Sequence, residues 1–476
     1  MLSRNDLRSV MNMPRLRTIR WGLLMLSVSV YTCAQNAPQS QATTPAPAFG
    51  QNAPILNPDN PPLSGLDEPS LDLHTATRSF VSPALQVSES ADSNPDNTLS
   101  TSNVRSVSHV IGALDLQQFW PKSDFFLEYL GGASFIADPY EVKQLQALGA
   151  EGVTRWRTGM IKLRDAFSYL PDGSFDIGTG GGIPGLGIAT GGMGTGGLAG
   201  TRSFNNGGFI GVGTIPRLSN TAILDVTQAI SPRSAFTVAG GFSNAHFFHN
   251  VDGLVDSDQT TIQGGYSHLI SRRDQLAAIY GFQLFRFPDN AGGQIYNHIF
   301  NIRWSHTISG RMSFIGGIGP QYTKLEFGNI VPRWSVSGRA SLRYKFEHAS
   351  IIATYEKYTS EGAGFFAGAD TQVARLSIRR PLGRTYEVVA EAGFTHDKRL
   401  QPLGGQGVAG STLDRGTAGA VLRKHIGRTY DVFAAYRFSE VDFSDAVLLD
   451  GSIGKLNQRH LGTIGLEWHP RPTKIE

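Results

Sequence analysis

Cysteine is almost absent: the 476 residues hold one, Cys33. That count excludes a disulfide framework and a thiolate metal centre. Charge is sparse as well, at 17% of residues. Long hydrophobic runs are missing from the body of the chain, where nothing approaches the roughly twenty apolar residues of a spanning helix. Catalytic signatures are missing too. The Gly-rich stretch from Gly178 to Gly200 lacks the Gly-Lys-Ser/Thr ending and the strand–loop–helix setting of a phosphate-binding loop. His246, His249, His268, His306, His396 and His460 are scattered over separate segments, with no spacing that suits a metal or a nucleophile–base pair. The sequence therefore predicts no metal, no cofactor and no enzyme activity.

The formal charge of +3 is concentrated at the start. Residues 1–34 contain Arg4, Arg8, Arg15, Arg17 and Arg20 against Asp6; taking these from totals of 42 basic and 39 acidic residues leaves 37 against 38. Nucleic-acid binding loses its main support. The same segment has the parts of a secretory signal: a basic start, an apolar core from Trp21 to Val30, and Thr32-Cys33-Ala34 before Gln35. Met1, Met11 and Met13 are alternative starts. Cleavage after Ala34 would remove the cysteine, and Tyr31-Thr32 is a poor approach to a lipidated Cys33. Residues 35–78, rich in Pro, Gln and Asn, read as a disordered periplasmic segment.

What is present, from about 79 to 469, is alternation. Arg379-Arg380-Pro381-Leu382-Gly383-Arg384-Thr385-Tyr386-Glu387 has a near-copy in Arg423-Lys424-His425-Ile426-Gly427-Arg428-Thr429-Tyr430-Asp431. After each turn, apolar and polar residues alternate: Tyr386, Val388, Ala390, Ala392 and Phe394 against Glu387, Glu391 and Thr395. A period of two is a strand signal. Segments of about ten residues, apolar on one side and polar on the other, are the signature of a transmembrane barrel. We read about eighteen of them. Short connections (Ser231-Pro232-Arg233, Ser309-Gly310-Arg311, the two Gly-Arg-Thr turns) alternate with longer ones (248–257, 288–293, 361–368, 399–411, 443–455). The predicted fold is all-β: an antiparallel up-and-down transmembrane β-barrel of about 16–18 strands, short turns on one rim and long loops on the other.

The recurrence of turns about every forty residues also suits propeller blades. A propeller packs four short strands into that period, whereas two strands of about a dozen residues fill it here, long enough to cross a bilayer at a tilt. Arg333 to Phe346 decides between lipid and water outside. Trp334, Val336, Gly338, Ala340, Leu342, Tyr344 and Phe346 share one face; Arg333, Arg339, Arg343 and Lys345 share the other. In a barrel the first face meets lipid and the cations line a wet lumen. Trp304, Trp334, Tyr344, Tyr386, Tyr430 and Trp468 are then candidate interfacial aromatics.

On these features residues 79–469 resemble the outer-membrane β-barrel proteins of Gram-negative bacteria, particularly the large porin-like ones. The resemblance implies a cell outer membrane location and contact with outer-membrane lipid and lipopolysaccharide. It also implies handling by periplasmic chaperones and the barrel-assembly machinery. One departure is the end: many such barrels finish on a Phe, whereas here Leu466-Glu467-Trp468 is followed by a short tail, 470–476. A TonB-coupled transporter would need a folded plug domain that 35–78 cannot supply.

The expected lumen has two kinds of charge. Turns centred on Gly383 and Gly427 would set Arg379 opposite Glu387, Arg375 opposite Glu391, and Arg423 opposite Asp431. Those pairs either satisfy charge within the wall and fix register or form a charged eyelet, and their closeness to the turn favours the first. Arg303, Arg339, Arg343 and Arg437 show no obvious partner and are candidates for a surface that favours anions. The stretch 171–218 reads as a long loop, external or folded into the lumen, with Thr214 to Gln228 ambiguous between strand and short helix. The resemblance implies a channel for small polar, possibly anionic, solutes; a plugged barrel serving adhesion or envelope architecture and a membrane-embedded hydrolase are the alternatives.

Overall fold

The computed structural model describes residues 79–94, 104–137, 140–170, 217–248, 255–288, 293–327, 329–362, 364–400, 411–444 and 456–474. The leader at 1–34, the segment to 78 and residues 171–216 of the Gly-rich stretch lie outside them. Among the described residues there is no helix. The strands are β1 (Phe80–Asp92), β2 (Arg105–Phe119), β3 (Ser123–Ile136), β4 (Glu141–Trp156), β5 (Gly159–Leu170) and β6 (Arg217–Ser231). There follow β7 (Ser234–Phe247), β8 (Ser257–Leu269), β9 (Asp274–Phe287), β10 (Gly293–Ser309), β11 (Met312–Phe327) and β12 (Asn329–Lys345). The last are β13 (Ser350–Ser360), β14 (Ala369–Leu382), β15 (Tyr386–Arg399), β16 (Thr412–Ile426), β17 (Tyr430–Phe443), β18 (Leu456–Trp468) and β19 (Thr473–Lys474).

Each strand pairs antiparallel with the next, and β18 returns to β1 from Leu85↔Trp468 to Asp92↔Leu461. Eighteen strands thus close on themselves, and β19 adds two residues against Phe80 and Val81. Closure pairs the strand edges, as hydrocarbon requires. Thr214 to Gln228 is strand from Arg217 onward, because every second residue there faces the interior: Ile223, Asp225 and Thr227 are buried while Leu224 is exposed.

The two walls have opposite chemistry. Outside stand Val87, Ile262, Ile318, Ile464 and Trp334, the last 72% exposed; inside, Ser90, Thr261, Asn297 and Gln321 are buried. Large apolar groups outward and polar groups inward is the arrangement of a barrel in lipid. Trp304, Tyr386, Tyr430 and Trp468 are exposed near the turn-bearing rim. Tyr344 lies edge-on to Phe346 with centroids 4.2 Å apart. Trp334 stands nearer the loop-bearing rim, 5.0 Å from the Tyr322 ring.

The repeated turns sit one residue later than the sequence suggested. Leu382↔Tyr386 and Ile426↔Tyr430 close three-residue loops, each opened by a glycine at positive φ, Gly383 (73°) and Gly427 (71°). Centring on Arg384 rather than Gly383 moves each partner by two residues. Arg379 therefore lies across from Val389, Arg375 from Gly393, and Arg423 from Phe433.

One seam interrupts the wall. β12 pairs with β13 only from Lys345↔Ser350 to Gly338↔Lys357, although β12 continues to Asn329 and β13 to Ser360. Above that point charged groups bridge the gap: Asp370 meets Arg333 at 3.2 Å and Lys357 at 3.8 Å. The segment 361–368 leaves the wall at this seam.

Candidate functional site

The interior carries a basic arc on β10–β12. Arg303 and Arg339 lie across from the same residue, Gly317 on β11. A Cβ at Gly317 would meet Asn301 Oδ1 at 2.6 Å and Arg303 Cγ at 2.8 Å, so the missing side chain makes room for the Arg303 stem. Arg343, four residues nearer the rim on β12, has no hydrogen-bond partner at Nε or Nη2. Arg339 departs from expectation. Glu356 lies directly across from it on β13, with Nε to Oε1 at 2.8 Å. Of the four cations on β12 (Arg333, Arg339, Arg343, Lys345), Arg339 is thus held by Glu356 and Arg333 by Asp370.

An acidic pair lies across the lumen. Asp115 on β2 and Glu128 on β3 are directly opposed in register and buried. Both Asp115 oxygens and Glu128 Oε2 lack a hydrogen-bond partner. The heights match. Asp115 stands four residues in from Phe119 and Glu128 five in from Ser123; Arg303 and Arg339 stand six in from Ser309 and Lys345. β3 and β12 are half a circumference apart in the strand order. The cations of the β10–β12 wall set a field in the lumen, which acts on charged solutes more strongly than in bulk water because the walls are of low dielectric.

Nearer the turn rim the charges are locked into the wall. Arg379 Nε reaches Glu387 Oε1 at 2.5 Å, diagonally rather than directly across. Arg423, 1% exposed, meets Asp431 Oδ2 at 3.2 Å and Glu467 Oε2 at 3.3 Å, both of them fully buried. His425 Nδ1 also meets Asp431, at 2.7 Å. Glu391 lies across from Ser377 and Gly419, and Arg437 across from Gly419 on the other side, so a glycine separates the two charges in one row.

Among the described residues, an apolar cluster stands at the loop rim, which the alternation did not foresee. The segment 361–368 was expected as an outer loop; its described residues, 361–362 and 364–368, turn inward. Phe365 and Phe366 are each 1% exposed. The loop is tied on two sides: Val255 N–H donates to the Gly364 carbonyl at 2.8 Å and Leu400 N–H to the Gly368 carbonyl at 3.0 Å. Phe365 meets Phe443 of β17 edge-on at 5.5 Å. Val255, just before β8, and Phe443 belong to opposite sides of the eighteen-strand circuit. Val255, Phe285, Phe287, Ile295, Leu325, Ala367 and Leu400 form one buried cluster about it. Gly362, Gly364 and Gly368 have positive φ, and a Cβ at Gly368 would strike Ile295. Glycine allows both the turn and the approach.

Serine–histidine contacts occur on both faces of the wall. His109 places Nδ1 2.7 Å from Ser134 Oγ and Nε2 3.1 Å from Ser90 Oγ. Ser234 meets His268 Nδ1 at 2.9 Å on the outer wall and accepts the Tyr266 hydroxyl. A hydrolytic centre needs a base oriented by a third group. Among the described residues no group of three His, Cys, Asp or Glu is placed to hold a metal.

No protein-family model and no curated protein matches the sequence. Similar solved structures include Pseudomonas aeruginosa OpdL (TM-score 0.40, 9% identity, covering 82% of this chain and 98% of that one). Another is P. aeruginosa OccK2 (OpdF) in complex with glucuronate (0.40, 9%, 82% and 97%). The FrpB iron transporter from Neisseria meningitidis is a third (0.37, 7%, 82% and 82%). At these identities and TM-scores the likeness carries no argument about solute or mechanism.

Proposed function

We propose that the chain is an outer-membrane channel for small polar solutes, biased toward anions, and not an enzyme. The observation that carries this is the basic arc of Arg303 and Arg343 on the β10–β12 wall, where Arg339 is held by Glu356. An anion entering the lumen is drawn to the β10–β12 wall. The wall pairs of Arg379 and Arg423 hold register and add little to the field, since their carboxylates neutralise them in place. The supporting partners belong to the same proposal: a secretory leader over 1–34, chaperones and assembly machinery, and lipopolysaccharide around the loop rim.

The second reading is a barrel closed at its mouth, favoured by the burial of Phe365 and Phe366. Conductance of the refolded protein in a planar bilayer under a salt gradient separates the two. Ohmic steps with anion preference support the channel; absence of current from a folded, β-rich protein supports the closed barrel.

A further inference from the structure

The outer wall carries a charge where lipid is expected. Asp165 is the seventh of twelve residues in β5, halfway between the rims. Its neighbour Arg164 is buried inside, so Asp165 points out, on the face that carries Leu163, 55% exposed. Directly across stand Ala150 on β4 and Ala222 on β6, too small to cover it. Asn220 of β6 donates from Nδ2 to Asp165 Oδ1 at 3.2 Å. The Asn220 backbone N–H donates in turn to Asn244 Oδ1 of β7 at 3.1 Å. A polar stripe therefore crosses β5–β7 on a face otherwise built of Leu224, Val238 and Phe242, all exposed.

Acyl chains offer no donor to a carboxylate, and an ionisable group on a barrel's lipid face costs most at mid-depth. A headgroup cannot reach that depth, so the partner is protein. We infer that the β5–β6 outer wall is a contact between two copies of this chain. The patch is self-complementary: it holds an acceptor, Asp165, and an amide donor, Asn220, side by side. A two-fold axis along the membrane normal at β5–β6 brings the acid of each copy to the amide of the other, as an isologous contact requires. The alanines on both flanks let the walls approach. This inference rests on the barrel standing in lipid and is independent of what passes through the lumen.

The test is site-directed crosslinking of the full chain in proteoliposomes. Cys33→Ser removes the only thiol. On that background Leu224→Cys is compared with Leu376→Cys, which is 40% exposed on the distant strand β14. The expected result is a crosslinked dimer from Leu224→Cys several times more abundant than from Leu376→Cys. Adding Asp165→Leu should cut that yield severalfold while the protein stays folded and heat-modifiable, because leucine suits lipid. Equal yields at both positions, a crosslink indifferent to Asp165→Leu, or a monomer mass at all lipid dilutions would overturn the contact. Channel currents enter none of these readouts.

Discussion

Releasing the segment 361–368 decides whether the mouth limits the lumen. Ordering its seven described residues costs on the order of 7–14 kcal/mol at roughly 1–2 kcal/mol per residue. The two tethers, Val255 to Gly364 and Leu400 to Gly368, return about 1 kcal/mol each. Phe365 and Phe366 are nearly inaccessible, and truncating a buried Phe to Ala typically costs about 3–5 kcal/mol. The phenylalanines thus contribute most of what holds the loop in. The double variant Phe365→Ala, Phe366→Ala loses about 6–10 kcal/mol of local stabilisation, more than the tethers can supply, and the loop swings free. The closed eighteen-strand wall is untouched, so the barrel remains folded. Single-channel recording should show conductance raised severalfold over the wild type. Unchanged conductance in a folded double variant would refute the claim that this loop sets the constriction.

The wall charges separate by burial. Arg423→Ala strands the buried Asp431 and Glu467 and should cost about 3–5 kcal/mol. Arg379→Ala, at a third-exposed site, should cost about 1 kcal/mol or less; urea midpoints of the refolded barrels measure both. Gly317→Leu puts a side chain where Arg303 and Asn301 lie. It should displace the Arg303 guanidinium and move ion preference in the same direction as Arg303→Gln, read as a shift in zero-current potential.

The wall was legible in the sequence because lipid outside and water inside force a period of two. Arg333 to Phe346 shows it without exception. The register of the Gly-Arg-Thr turns was not legible: a glycine at positive φ can open a three-residue loop or centre a tighter one, and the choice moves each charge by two positions. The diagonal reach of Arg side chains preserved the Arg379–Glu387 and Arg423–Asp431 contacts despite that slip. Glu356 was missed as the partner of Arg339 because cross-strand pairing on β13 depends on a turn, 346–349, without a glycine to fix it. The inward mouth left a signal that alternation ignored. Phe285 and Phe287 continue an apolar face opposite Phe282 and Leu284, and Phe365-Phe366 sit among glycines in a segment that solvent would not reward. Asp165 left one as well, falling in the apolar phase of β5 between Leu163 and Phe167.

The zero-current potential of the Arg303→Gln, Arg343→Gln double variant in a salt gradient reads the basic arc itself. A unit charge about 8 Å from a passing ion is worth roughly 0.5 kcal/mol in water, or about half that after screening at ~0.1 M salt. Each arginine then changes the anion-to-cation ratio about twofold, and the pair about fourfold, at RT ≈ 0.6 kcal/mol. The wild type should prefer anions, and the variant should shift toward cations by about that factor at similar conductance. A wild type without anion preference, or a conducting double variant with an unmoved potential, would contradict it.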